Sequence, residues 1–195
     1  MIISAWFFIY FIALIIFMVI SLTICIRKVK GYSILKKEIS KLGHVKEKSS
    51  RIFNSVYIVF GLSLLLLFYF LFNANFFNFI TFLFFFIGGF FVFLAGVFPE
   101  NFSLVHQIVS GISFVGFATG SVLFFNIILD SGKYLWMIIP SILIIISSAF
   151  FLYTCLFYEI RKVRKLELLN NFCFWEWMLV LSILLEIIGM FILLI

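Results

Sequence analysis

Two side chains of this sequence fall inside long apolar runs and can still do acid–base or ligand chemistry: His106 and Glu186. An unperturbed histidine titrates near physiological pH, so His106 suits a proton carrier or a head-group ligand. Held neutral against a serine or a carbonyl, it would instead lock neighbouring helices together. Glu186 has Ser182 one turn before it and Gly189 just after, which turns it toward protein and away from lipid. An acid at that depth is a functional candidate by default, as a protonatable carrier or as a protonated acid bonded to a neighbouring helix. No Lys or Arg falls in the middle of any apolar run, so the sequence names no charge partner for it. Ser103, His106, Ser110 and Ser113 recur at three- and four-residue spacing and share one helix face. Pro99 and Glu100 stand just before them, in the polar break 96–111 between two apolar runs.

Several reaction classes lack their residues. There is no nucleophile-elbow, zinc-protease, phosphate-loop or dinucleotide signature. Two histidines, His44 and His106, cannot build a three-histidine metal site, and Cys25, Cys155 and Cys173 show no paired spacing for zinc. A serine–histidine pair exists on the helix carrying His106, but nothing marks an oxyanion hole. The residues thus weigh against an enzyme and call for no cofactor or metal.

The elements that must position these residues follow from composition. Of 195 residues, 66% are hydrophobic and 11% are charged. A soluble domain keeps roughly a quarter of its residues charged, so the solvent of this chain is lipid. About 20 apolar residues span the hydrocarbon as a helix, and six runs reach that length: 3–26, 52–72, 76–98, 103–129, 134–157 and 172–195. The expected fold is all-α, one six-helix transmembrane bundle covering 1–195. The first run is too long for a signal-peptide core and no basic residue precedes it.

The net charge of +6 would suggest nucleic acid in a soluble protein; here it reports topology, and no nucleic-acid partner is expected. Nine basic residues lie within 27–51, and Arg161, Lys162, Arg164 and Lys165 form a second group; only Lys133 lies elsewhere. With six spans both groups fall on one side, and short Lys/Arg-rich loops stay cytoplasmic. Both termini are then outside, in a multi-pass protein of the cell membrane. Trp6 and Trp136 fall near the outer interface, Trp175 and Trp177 near the inner one, and Glu176 is placed to pair with the basic loop. On the cytoplasmic side disulfides among the three cysteines are not expected.

Residues 29–43 read as a short amphipathic helix, capped by Ser33 and stopped by Gly43, with Leu35, Ile39 and Leu42 on its apolar face. Lying on the membrane, it would offer Lys36, Lys37 and Lys41 to anionic head groups; as a plain solvated loop, it would only set topology. Gly116 and Gly120 give a GxxxG step that lets another helix approach, with Gly88, Gly89, Ala95 and Gly96 as its candidate counterparts.

The loop pattern of Gly31, Tyr32 and Ser33, then Ile39, Ser40, Leu42 and Gly43, then Phe53 and Asn54, resembles the first half of the six-span family catalogued as domain of unknown function 998. Residues 96–100, followed by His106, resemble the second half of that signature. The resemblance implies the six-helix fold and draws Ser33, Ser40, Asn54, Pro99, Glu100 and His106 into one cytoplasmic-side cluster, but it brings no activity. The chain departs from the family at Lys41, where an acid is frequent, and at Glu176 and Trp177, where an acid followed by arginine is usual.

The function expected is binding of lipid head groups, anionic ones included, or of a membrane partner at the cytoplasmic side. Ser33, Ser40, Asn54, Pro99, Glu100, His106 and Ser110 form the polar cluster. The alternatives are a small proton-linked transporter using Glu186 and an intramembrane lipid-modifying enzyme using His106. A protein partner or a homo-oligomer is compatible with either.

Overall fold

The computed structural model describes residues 5–34, 37–131, 135–156 and 172–192. Leu35, Lys36, Lys133 and the basic group Arg161, Lys162, Arg164 and Lys165 lie outside the described residues, as do the side chains of Trp6, Ser103 and Cys155. The described residues form six long helices: α1 (Ala5–Lys28), α2 (Ser50–Asn73), α3 (Phe79–Val97), α4 (Ser103–Ser131), α5 (Ile138–Leu156) and α6 (Phe172–Ile192). No strand occurs among the described residues. Among the described residues five helices are long and apolar enough to cross a membrane; the apolar stretch of α5, Ile138–Phe150, is shorter.

Large Ile, Leu, Val and Phe side chains stay exposed along the outer faces of all six helices. In water such a continuous apolar surface would be an aggregation hazard; in lipid it is the solvated surface. The inward face of α1 shows the complementary pattern, with Phe11, Leu14, Met18, Leu22 and Cys25 buried at helical spacing.

Consecutive helices pack as antiparallel neighbours, most extensively α2 on α3 and α3 on α4. Small residues permit this closeness. A Cβ on Gly116 of α4 would lie 2.8 Å from the backbone nitrogen of Gly88 on α3, and Ser113 donates to the Gly88 carbonyl at 3.0 Å. Gly120 meets the Phe85 ring of the same helix. The GxxxG step therefore does face α3, but only Gly88 of the four expected counterparts meets it closely. Gly89 and Gly96 face α2 instead, where a Cβ on Gly96 would sit 2.8 Å from the Asn54 carbonyl oxygen. Three small positions serve two interfaces because α3 lies between α2 and α4.

The described residues of 29–43 do not form the amphipathic helix expected from the spacing. Gly31 adopts a positive φ of 65°, a conformation that ends helical winding, and the chain turns back to form a 3-10 turn, Ile39–Gly43. Ile39 and Leu42 are apolar for a different reason than membrane contact: both are buried against the bundle end. Ser33 caps no helix; its carbonyl accepts from the Lys37 amide at 2.9 Å. The turn after α2 is also longer than its sequence indicates, because Asn78 caps α3 by accepting the Thr81 N–H at 2.8 Å.

Candidate functional site

At the bundle end covered by the 3-10 turn, α2, α3, α4 and α6 leave a cavity of about 50 Å³. Its deeper wall is apolar, with Phe60, Val92, Ala95, Phe114, Phe117, Val180, Ile183 and Leu184, joined by Met18 of α1. Its polar end is lined by Ser40, Tyr57, His106, Ser110, Ser113 and Glu176. Tyr57, His106, Ser110 and Glu176 lie near the starts of α2, α4 and α6, Ser40 in the 3-10 turn, and Ser113 farther along α4. A space of this size holds on the order of three to five water-sized groups.

Glu176 is only 6% exposed. Its carboxylate accepts the Ile39 N–H at 2.8 Å, so an acid of α6 caps the start of the 3-10 turn, whose own Glu38 provides no side-chain cap. The other end of the turn is held by α2. Ser49 donates to the Leu42 carbonyl at 2.7 Å, and Ser50 and Asn54 donate to the Gly43 carbonyl at 2.9 and 3.1 Å. The cover is thus bonded to both walls of the cavity. Tyr32 packs its ring edge against Trp177 and donates to the Glu38 carbonyl at 2.9 Å; burial pushes its phenol above the ordinary range.

Lys41 pairs with Glu100, in the short 3-10 turn Glu100–Phe102, and lies 3.8 Å from Glu38. Partial burial works to lower its pKa, but the Glu100 hydrogen bond and the surrounding carboxylates outweigh that and raise it. The lysine that departs from the family pattern therefore has an acid waiting for it. The buried Oε2 of Glu100 has no hydrogen-bond partner among the described residues.

His106 is buried and ties two helices. Its Nδ1 lies 2.7 Å from the carbonyl oxygen of Phe98, the residue ending α3. A carbonyl only accepts, so Nδ1 carries the hydrogen and Nε2 is left to accept from the Ser110 hydroxyl at 3.4 Å. The imidazole thereby satisfies a carbonyl that the end of α3 leaves without a helical partner.

Glu186, 1% exposed, lies deeper on α6 and does not line the cavity. Ser121 of α4 and Ser141 of α5 each approach it at 2.7 Å. Each serine also reaches the carbonyl one turn before it, Phe117 at 2.8 Å and Met137 at 3.0 Å. One proton per hydroxyl leaves two complete arrangements. A carboxylate accepts from both serines; an uncharged carboxyl donates to one, which then donates to its own carbonyl. α4, α5 and α6 carry no Lys or Arg, so the uncharged arrangement leaves no buried charge.

The structure brings Ser40, His106 and Ser110 to one cavity, with Asn54 and Glu100 in the layer around it. Pro99 only shapes the turn there, its carbonyl accepting the Phe102 N–H at 2.9 Å, and Ser33 stands apart. Ser182 bonds the Met178 carbonyl rather than Glu186. Trp177 is buried, whereas Trp136 is exposed at the opposite end. Cys25 and Cys173 are free thiols, and no metal-ligating cluster occurs among the described residues. Sequence reasoning missed Tyr57, and it directed Glu176 to the charges of the basic loop where the structure has it accept that loop's Ile39 N–H. The signal was present: Glu176, Val180, Ile183, Leu184 and Ile187 recur on one face of α6, all buried.

Six helices with an apolar exterior define a polytopic all-α integral membrane protein. The chain belongs to the family whose model is described as "Protein of unknown function (DUF998)", which matches residues 11–192 and agrees with the resemblance carried by its loop motifs. Neither a curated protein nor a solved structure matches it. The family description carries no activity, so function rests on the site.

Proposed function

We propose that this membrane protein binds the tip of one amphiphile's head group, a polar group and the few carbons that carry it, in the cavity beneath the 3-10 turn. The carrying observation is the two-part lining: oxygens and an imidazole at the interfacial end, aromatic and aliphatic side chains beneath. A polar group carried on a few carbons needs both kinds of wall, and a site of mostly apolar wall with a few convergent polar groups is the usual form of a small-molecule site. The basic residues of 27–51 lie at the same end, which supports reading that end as cytoplasmic and, with α5 counted as a crossing, both termini as outside. A catalytic reading of the Ser110–His106 pair has less support, because Ser110 sits inside α4, where backbone N–H groups are spent on the helix and offer no oxyanion donor.

The test is mass spectrometry of lipids retained by the full chain after exchange into mild detergent, comparing wild type, His106→Ala and Ala95→Phe. Ala95 lines the cavity, so the phenyl group fills it. A lipid retained at one per chain by wild type and lost from Ala95→Phe supports the reading. Identical profiles in folded wild type and Ala95→Phe overturn it.

A further inference from the structure

The outer surface at this end is basic, but the lining of the cavity behind it includes one acid, Glu176, and no lysine or arginine. Among the described residues Glu176 has no ion-pair partner, and the lysine nearest the site, Lys41, is already engaged by Glu100 and Glu38. An acid this buried is held either uncharged, as Glu186 can be by its two serines, or charged against a cation. Glu38 and Glu100 both lie close enough to act electrostatically on Glu176, which leaves three carboxylates around one lysine. Independently of the acids, Tyr57 lines the cavity, its hydroxyl makes no hydrogen bond to the described residues, and its ring is stacked on Phe53 at 4.5 Å.

We propose that the cavity takes a primary ammonium on a short carbon chain, its N–H groups divided among the Glu176 carboxylate and the hydroxyls of Tyr57 and Ser110. An ammonium carries three donors and no acceptor, the complement of this set. The stacked Phe53 and Tyr57 rings add a face for the cation. An anionic head group would meet Glu176 with no cationic side chain in the lining. A quaternary ammonium has no N–H to give, and its methyl groups exceed room for about three to five small groups. The amine's source is either a lipid head group or a free alkylamine.

This inference rests on the amphiphile reading above, and the experiment separates their failures. The purified full chain in neutral detergent is titrated, by melting temperature and native mass spectrometry, with short-chain phospholipids sharing acyl chains. These carry ethanolamine, choline or glycerol head groups, and free ethanolamine is a fourth probe. The ethanolamine lipid should bind at least tenfold more tightly than the other two. Glu176→Gln should lose at least tenfold of that affinity, and Tyr57→Phe, which removes one hydroxyl and no capping group, several-fold. Equal binding of ethanolamine and choline lipids, or binding unchanged in Tyr57→Phe and Glu176→Gln, overturns the ammonium assignment and leaves the amphiphile reading standing. Preference for the glycerol lipid overturns it likewise and places the lipid on the basic surface. Glu176-dependent binding of free ethanolamine, with none of the lipids, upholds the ammonium and overturns the amphiphile. Binding of none of the four overturns both.

Discussion

Glu176 and Glu186 sit ten positions apart on one helix, about 15 Å at 1.5 Å per residue, and both are buried; their surroundings differ in kind. Glu186 faces two serine hydroxyls from two other helices, each with a second acceptor one turn away, so every proton has a place and no ligand is required. Glu176 faces a backbone amide of a loop, a cavity and two further carboxylates. The first arrangement is closed and binds helices to one another; the second is incomplete and binds a cover over a space. Burial alone does not separate a structural acid from a functional one. The count of satisfied hydrogen-bond positions does.

The comparison breaks most directly at Glu186. Glu186→Ala removes both interhelical bonds and leaves a hole, which should destabilise the bundle by about 2–4 kcal/mol, read as the shift in unfolding midpoint in mixed micelles. Glu186→Gln keeps the volume and one acceptor and should cost about 1 kcal/mol. Next in size is His106→Leu, which leaves the Phe98 carbonyl without its donor and should cost about 1–2 kcal/mol by the same measurement. Glu176→Gln should cost less than about 1 kcal/mol, because the amide oxygen still accepts the Ile39 N–H, while the response to ethanolamine lipid disappears. If Glu176→Gln proves as destabilising as Glu186→Ala, the two acids are alike and the distinction drawn here is wrong.

The helices were legible in the sequence because twenty-residue apolar runs admit few other structures, and His106 and Glu186 stood out because polar groups are scarce there. The loop was not legible. Ile39 and Leu42 have the spacing of a helix face, but a 3-10 turn docked on protein buries the same pair, and spacing cannot tell which surface an apolar face meets. The serine partners of Glu186 were hidden for a related reason. Ser121 and Ser141 lie 65 and 45 residues from it, and only the packing of α4 and α5 against α6 selects them from many membrane serines. Lys41 was visible as a departure from the family pattern, but its partner Glu100 lies across the bundle end, beyond any local periodicity.

The smallest effect is expected at that pair, and pH isolates it. Lys41 is partly exposed, so solvent screens its pairing with Glu100 and its total contribution is small. Its folded-state pKa is nevertheless raised above the ordinary lysine value of 10.5. A group whose pKa rises on folding contributes stability that is full below the unfolded value and is lost as pH climbs through the folded one. The melting difference between wild type and Lys41→Met should therefore be constant across neutral pH and shrink only above about 10.5, as the ammonium of wild type is lost. Glu100→Gln should show the same disappearance, because it removes the other half of one interaction. A difference that stays unchanged above that pH would mean that Lys41 stabilises the turn through its alkyl stem, and the charge between the loop and α4 would then have no part in holding the cover in place.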